Sequence, residues 1–184
     1  MKHTSIAKAA ALVALTTAAL TGCNEEIPLS SPEGKMADVI PSFGIEGRAV
    51  DGLIRNGEVR VYDFATGSKG NVLGTGMTND LGLFTANIQG AGLDQGKYVM
   101  SCVVSGDYLE EASGTVVELE DGDELCAIKY FDPSSNFSVV INPWSHYATA
   151  LAQHQIATGE AVNNAVDNAN TAIGTAYGFD VLNT

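Results

Sequence analysis

Residues 78–88 of the chain, TNDLGLFTANI, contain a turn that is followed directly by a strand. The side chains of Asn79 and Asp80 can hydrogen-bond their own backbone in a turn, and Gly82 accepts a positive φ angle at no steric cost. After the turn, apolar and polar residues alternate through Ile88, which is typical of a strand with one buried and one solvated face. The stretch therefore predicts two strands joined by this turn.

A period of two recurs along the neighbouring sequence. Val59 and Val61, for example, alternate with charged residues. Short β-rich runs that repeat every 8–14 residues indicate an antiparallel sandwich, and the connections are too short for the helical crossovers of a parallel α/β sheet. The predicted strands are 43–50, 57–64, 71–77, 83–88, 97–105, 114–119, 124–131 and 136–141.

Four features of residues 43–108 resemble the carboxypeptidase-regulatory-like family. These features are a glycine in the first strand, a Val-x-Val second strand, the turn ending in Gly-x-Phe, and a Gly-x-Tyr that starts a later strand. They fall on Gly47, on Val59 and Val61, on Thr78 to Phe84, and on Gly96 and Tyr98. The resemblance implies an antiparallel transthyretin-like (prealbumin-like) β-sandwich. With the helices predicted below from residues 142–184, the expected fold is mainly β, with this sandwich followed by a C-terminal helical hairpin. It implies little about function, because such domains are attached to many unrelated proteins.

The N-terminus has the pattern of a cleaved export signal. Lys2 and Lys8 precede an uncharged run, 9–20, that would span about 18 Å as a helix, well short of a bilayer core of about 30 Å. The run ends in Leu20-Thr21-Gly22-Cys23, which resembles the lipobox of bacterial lipoproteins. The alternative is an ordinary secretory signal with a chance cysteine near its cleavage site.

The lipobox resemblance implies lipidation of Cys23 and removal of residues 1–22. The thiol would carry a diacylglyceryl group and the new amine a fatty acyl chain such as palmitate, which suffices for stable anchoring to the membrane. Asn24, where inner-membrane lipoproteins often carry Asp, favours the outer membrane. We therefore expect a cell-envelope protein that faces the periplasm or the cell surface.

Beyond the signal, the chain divides into three parts. Residues 23–42 hold three of the five prolines and predict a flexible tether, and residues 43–141 form the β-sandwich domain. Residues 142–184 predict a helical hairpin, with Asn142 as N-cap, Pro143 at the first helical position and a break at 158–159. This hairpin packs either on the sandwich, through Trp144 and Tyr147, or on further helices of a partner or of a longer helical region.

The charge of the chain limits its partners. It has 22 acidic and 9 basic residues and a net charge of −13, and removal of residues 1–22 takes away two lysines and brings the net charge to −15. Nucleic acids and anionic bilayers are bound through clustered basic residues, so neither is an expected ligand of the body. The expected partners are the membrane, through the acyl chains, and a protein or glycan.

Two further cysteines, Cys102 and Cys126, lie in predicted strands. Once Cys23 is lipidated their count is even, and an exported compartment permits a disulfide. The bond would close a loop of about 25 residues and stabilise the fold by roughly 3 kcal/mol in the chain-entropy model. We favour this disulfide over two buried free thiols.

An acidic turn, ELEDGDE, covers residues 118–124. Its five carboxylates are the kind of ligand that Ca²⁺ prefers, although the spacing does not match an EF-hand loop. A solvated acidic hairpin tip is the favoured interpretation, and a Ca²⁺-dependent binding module is the alternative. The candidate ligands are Glu118, Glu120, Asp121, Asp123 and Glu124.

No catalytic motif is evident in the sequence. His146 and His154 do not form HExxH, GxSxG and CxxC are missing, and Gly67-Ser68-Lys69-Gly70 lacks the spacing of a phosphate-binding loop and predicts a mobile hairpin loop. Transthyretin-like hydrolases of 5-hydroxyisourate use sandwich histidines, which residues 43–141 lack. We therefore expect no catalytic residue and no cofactor, and a non-enzymatic binding, adhesion or structural module, or else an accessory domain of a larger envelope protein or enzyme.

Overall fold

The computed structural model of the protein describes residues 40–120 and 122–183. Cys23, the predicted signal and most of the predicted tether lie outside these ranges, as does Asp121. The described part is mainly β with two C-terminal helices. Its elements are β1 (Ser42–Ala49), β2 (Glu58–Asp63), β3 (Val72–Met77), β4 (Leu83–Gln89), β5 (Lys97–Val103), β6 (Asp107–Glu110), β7 (Thr115–Glu118), β8 (Leu125–Phe131), β9 (Ser138–Ile141), α1 (Pro143–Ala157) and α2 (Val162–Tyr177), with a 3₁₀ turn at Leu93–Gln95.

The larger strands form two sheets. One has the order β4-β1-β9 and the other the order β3-β2-β5-β8, while β6 and β7 form a separate hairpin. All eight predicted strands are present, and β6 was not predicted. β6 is only four half-exposed or exposed residues long, too short for a period of two to be recognised.

One strand pair corrects the prediction of purely antiparallel pairing. β1 and β9 are parallel, and every other strand pair in the described residues is antiparallel. Parallel neighbours require a long connection, and here most of the domain lies between them in sequence. β9 follows all four strands of the second sheet in the chain but pairs with β1 in the first sheet. Alternation of apolar and polar residues predicts where a strand lies, and it does not predict which distant strand it pairs with.

The turn at residues 78–84 has the predicted chemistry. The Oδ1 atom of Asn79 accepts hydrogen bonds from the backbone N–H groups of Leu81 (2.9 Å) and Leu83 (3.0 Å), and Gly82 has a φ of 69°. Thr78 is buried, and its Oγ1 accepts from the backbone N–H of Gly57 at 2.7 Å. The turn is therefore attached to the start of β2 as well as joining β3 to β4.

Phe84 depends on a glycine in the neighbouring strand. Gly47 of β1 is the register partner of Phe84 in β4. A Cβ atom at Gly47 would lie 2.3 Å from Cζ of Phe84 and 2.5 Å from the carbonyl oxygen of Val139. The aromatic ring therefore occupies the space that a side chain at residue 47 would need.

The main core lies between the two sheets. Both sheets contribute inward-facing apolar side chains, in keeping with the alternation seen in the sequence. The buried members are Ile45, Ala49, Ile54, Val59, Val61, Phe84, Ala86, Ile88, Leu93, Val99, Val103, Ala127, Phe131, Phe137, Val139 and Ile141.

A second core joins the helices to the outer face of the four-stranded sheet, so the hairpin packs on the sandwich. The sheet contributes Tyr62, Phe64, Met100, Cys102, Cys126 and Ile128, and the helices contribute Ala152, Val166 and Ala169. The prediction that Tyr147 makes this contact is wrong, because Tyr147 is 56% exposed. Trp144 is half-buried and is likewise not a member of this core. The buried stripe of α1 is instead Ser145, Ala148, Thr149 and Ala152, whose small side chains allow a close approach to the sheet.

Hydroxyl groups on α1 donate hydrogen bonds to a backbone carbonyl of the sheet beneath the helix. Ser145 Oγ (3.0 Å) and Thr149 Oγ1 (3.4 Å) both donate to the carbonyl oxygen of Cys126. Ser145 also completes the predicted cap, because its backbone N–H donates to Oδ1 of Asn142 (2.7 Å) while its Oγ accepts from the N–H of Asn142 (2.9 Å). The start of α1 is therefore held both by its own cap and by β8.

Glycines allow close packing at two further places. Gly67 is buried, and a Cβ there would lie 2.7 Å from Cγ2 of Ile156, so the loop predicted to be mobile is packed against α1 at this residue. In β3, a Cβ at Gly74 would lie 2.1 Å from the carbonyl oxygen of Asn87. The edge strands β3 and β4 of the two sheets thus approach each other closely.

We predict that Gly47→Ala destabilises the fold and that Gly44→Ala on the same strand does not. At residue 47 the added methyl group overlaps Phe84 and the backbone of β9, at a cost of about 1–3 kcal/mol. At Gly44 the nearest atom to an added Cβ is Oδ1 of Asn87 at 3.9 Å, which is ordinary contact. Denaturant unfolding measures both free energies, and equal effects of the two substitutions would contradict this account of Phe84.

Candidate functional site

The two strand cysteines lie at disulfide distance, as the sequence predicted. Cys102 and Cys126 are direct register partners in β5 and β8, and their Sγ atoms are 2.12 Å apart. Both are buried beneath α1. The cross-link spans the base of the segment that carries the β6–β7 hairpin, and it lies directly under the start of α1.

Glu124 completes a group of possible metal ligands with these cysteines. The ligand atoms of Cys102, Glu124 and Cys126 all lie within 4.8 Å of one another, and no other such group occurs in residues 40–120 and 122–183. The two sulfur atoms are bonded to each other, and the Glu124 carboxylate accepts hydrogen bonds from Lys69 Nζ at 2.6 Å. These contacts engage all three side chains, so the group has no free ligand set for a metal ion.

The acidic turn is placed mainly in solvent. Glu118, Glu120 and Asp123 are exposed, whereas Glu124 pairs with Lys69. Asp121 lies outside the described residues. The Ca²⁺ hypothesis for residues 118–124 stays a prediction.

The two histidines of α1 have different surroundings. His146 Nδ1 accepts a hydrogen bond from the backbone N–H of Cys126 at 3.3 Å. His154 is exposed, and neither residue joins a group of metal ligands in the part of the chain that the structure describes. His146 therefore helps to dock α1 on β8.

Four aromatic side chains cluster where α1 begins and α2 ends. The ring centroid of Trp144 lies 3.8 Å from that of Tyr177, 5.8 Å from that of Tyr147 and 6.4 Å from that of Phe179. Tyr147 and Tyr177 are each more than half exposed. This aromatic cluster was not predicted as a site, although a helix stripe that starts with Trp and Tyr was visible in the sequence.

The cluster borders a surface cleft with a volume of about 470 Å³, which we call the aromatic cleft. Trp144 and Phe179 line one side of it, and the turn after β1 lines another. The lining residues are Val50, Asp51, Gly52, Asn142, Pro143, Trp144 and Phe179.

Local backbone geometry explains how these residues converge. Gly178 has a φ of 80° and ends α2, and the N–H groups of Gly178 (2.8 Å) and Phe179 (3.1 Å) both donate to the carbonyl oxygen of Gly174. This C-cap turns Phe179 back toward α1. Asn142 Nδ2 donates to the carbonyl oxygen of Val181 at 3.3 Å, which attaches the C-terminal segment to the start of α1.

Asp51 is the charged residue of the aromatic cleft. Among the described residues, its carboxylate makes no hydrogen bond and no ion pair with another side chain. The amide of Asn142, in contrast, is engaged on both sides, by Ser145 and by Val181. The cleft therefore combines aromatic surface with a single unpaired carboxylate.

The surroundings of Asp51 are negatively charged. Burial raises the pKa of Tyr108, and the nearby charges of Asp51, Glu110 and Asp123 raise this pKa further. Arg55 is bound in an ion pair with Asp107. A positively charged group would thus be favoured electrostatically at this end of the domain.

In comparisons with known proteins, no protein-family model matches the chain and no curated protein is significantly similar to it. Neither helix in the described part has the length and hydropathy that a membrane-spanning segment requires. The function is therefore inferred from the sequence and the structure of the chain.

We predict that replacing both Cys102 and Cys126 with serine lowers the free energy of unfolding by about 3 kcal/mol, because the unfolded chain gains the freedom of the opened loop. Denaturant unfolding of the two forms measures the difference. Thiol titration in denaturant provides the control on a Cys23→Ser background, where we expect no reactive thiol before reduction and two after it. Two reactive thiols without reductant would contradict the disulfide.

Proposed function

We propose that this chain is a lipid-anchored, non-enzymatic protein of the bacterial cell envelope, with a transthyretin-like β-sandwich that works as a binding module. Its binding site in this proposal is the aromatic cleft. The observation that carries the proposal is the exposed aromatic cluster around Trp144, next to the unpaired carboxylate of Asp51. Exposed, clustered aromatic side chains cost solubility, and they are typical of surfaces that bind a partner.

The two-sheet architecture supports the transthyretin-like assignment. Three of the four features of the sequence resemblance have a structural role, since Gly47 makes room for Phe84, Val59 and Val61 are buried in the core, and Gly82 has a positive φ angle in the turn. Gly47 and Phe84 also depend on each other sterically. Such mutual dependence is what a pattern specific to one fold requires.

The hydrogen bonds around α1 support a non-enzymatic role. Ser145 Oγ and His146 Nδ1 are adjacent in sequence, but both are bound to the backbone of Cys126. A nucleophile and its base must instead reach each other and the substrate. In this proposal the two residues dock the helix.

The sequence before the domain supports lipid anchoring. Leu20-Thr21-Gly22-Cys23 has the lipobox pattern, and 19 residue steps separate Cys23 from the start of β1. A chain of that length reaches at most about 65 Å when fully extended. The anchor would therefore allow the acidic domain to stand well clear of an anionic membrane surface.

We predict that Cys23→Ala abolishes fatty acylation of the protein, because the proposed acyl chains depend on this residue. Detergent phase partitioning of cells expressing each form, together with metabolic labelling by an alkyne fatty acid, measures anchoring and acylation. The Cys102→Ser/Cys126→Ser form is the matched control and should remain in the detergent phase. Fatty-acid labelling of the Cys23→Ala form, or no labelling of the unaltered chain, would contradict the anchoring proposal.

We predict that a photo-crosslinking amino acid at Tyr147 captures a partner in living cells, because this side chain is exposed beside the aromatic cleft. The same group at Leu81, which is 57% exposed in the turn between β3 and β4, is the matched control. Gel mobility shifts measure the adducts. Equal adducts at both residues, or none at residue 147, would contradict a binding site at the cleft.

A further inference from the structure

The aromatic cleft has few polar groups with which to recognise a ligand. The side-chain amide of Asn142 already forms hydrogen bonds with Ser145 and Val181. The carboxylate of Asp51 is therefore the side-chain acceptor that remains for a ligand in the cleft. A sugar or a primary ammonium group brings several hydrogen-bond donors, and each donor left without a partner costs free energy on burial. The cleft therefore favours a ligand with few donors.

The aromatic rings and the charge of the cleft favour a cation. An indole is the best aromatic partner for a cation, and Trp144 lines the cleft. Tyr177, which does not line the cleft, packs against Trp144 at 3.8 Å and holds its ring in place. Asp51 adds a negative charge that no basic side chain in the described residues neutralises.

We propose that the aromatic cleft binds a quaternary ammonium cation, packed against Trp144 and Phe179 with Asp51 as its counter-ion. Such a group carries no N–H donor, so the scarcity of acceptors in the cleft costs it nothing. Its charge is spread over its methyl groups, which suits the apolar walls and the aromatic faces. This inference rests on the proposed binding function and names the ligand class for the same cleft.

The charges around the cleft also distinguish between sources of the group. Glu110 and Asp123 lie near Tyr108 together with Asp51 and make this end of the domain acidic. A phosphocholine headgroup carries a phosphate that these carboxylates repel, whereas choline and tetramethylammonium carry a net positive charge. The ligand is therefore a free cation and not a lipid headgroup.

The protein contains its own probe for this site. Trp144 is the single tryptophan of the chain, so intrinsic fluorescence reports directly on the cleft. Titration of the full chain with choline and with tetramethylammonium should change this fluorescence saturably. The neutral isostere 3,3-dimethylbutan-1-ol has the same shape as choline without its charge, and it should bind on the order of tenfold more weakly.

Matched variants test the role of Asp51. Asp51→Asn should weaken choline binding on the order of tenfold, whereas Asp94→Asn, an exposed site with the same change in net charge, should leave binding unchanged. Circular dichroism should show both variants folded. If Asp51→Asn does not fold, raising the NaCl concentration on the unaltered chain tests the charge instead, and choline binding should fall while binding of the isostere does not.

Several outcomes would overturn the proposal. Equal affinity for choline and its isostere would make the cleft a neutral apolar site, and tighter binding of methyl β-glucopyranoside would make it a sugar site. Phosphocholine binding as tightly as choline would assign a lipid headgroup. No fluorescence change with choline or tetramethylammonium would remove the cation site, whereas the proposed binding function would still be supported if Tyr147 captured a partner in cells.

Discussion

The close approach of Phe84 to Gly47 is the steric constraint on which the packing of the first sheet depends. β1 is the central strand of that sheet, and Gly47 faces Phe84 of β4 on one side and Val139 of β9 on the other. A side chain at residue 47 would collide with both neighbours. The turn before β4 is fixed to the same strand, because the N–H of Ala49 donates to the carbonyl oxygen of Gly82 at 2.8 Å. The aromatic ring can fill the core only because one backbone position has no side chain.

Both helices pack on the outer face of the second sheet. Cys126 stands at the centre of the contact, since its sulfur is linked to Cys102 and its carbonyl oxygen accepts from Ser145 and Thr149. Ala152 of α1 and Val166 of α2 are buried against the sheet, and side chains of this size allow both helices to lie close to it. The large aromatic side chains of the hairpin are consequently left outside this packed layer. They collect at the helix ends, where they border the cleft.

The distribution of charge gives the cleft its chemical character. Basic residues of the domain are largely paired, as in Arg55 with Asp107, Lys69 with Glu124 and Lys97 with Asp63. Many acidic side chains have no such partner in the described chain, and Asp51 is one of them. An acidic body on a lipid tether would avoid anionic surfaces and attract small cations. The binding function and the ligand class that we propose are thus consistent with the charge of the whole domain.

Local patterns were sufficient for the eight main strands, the turn at Asn79 and the cap at Asn142, because each depends on residues close together in the chain. The cysteine pair was also predictable from count and strand position. The parallel pairing of β1 and β9, the buried face of α1 and the aromatic cleft were not. Asp51, Trp144 and Phe179 are far apart in sequence, and only the packing of two sheets and two helices brings them to one surface. Periodicity reports which residues are apolar, whereas the choice between burial and exposure at Tyr147 depends on how closely small neighbouring residues let the helix approach the sheet.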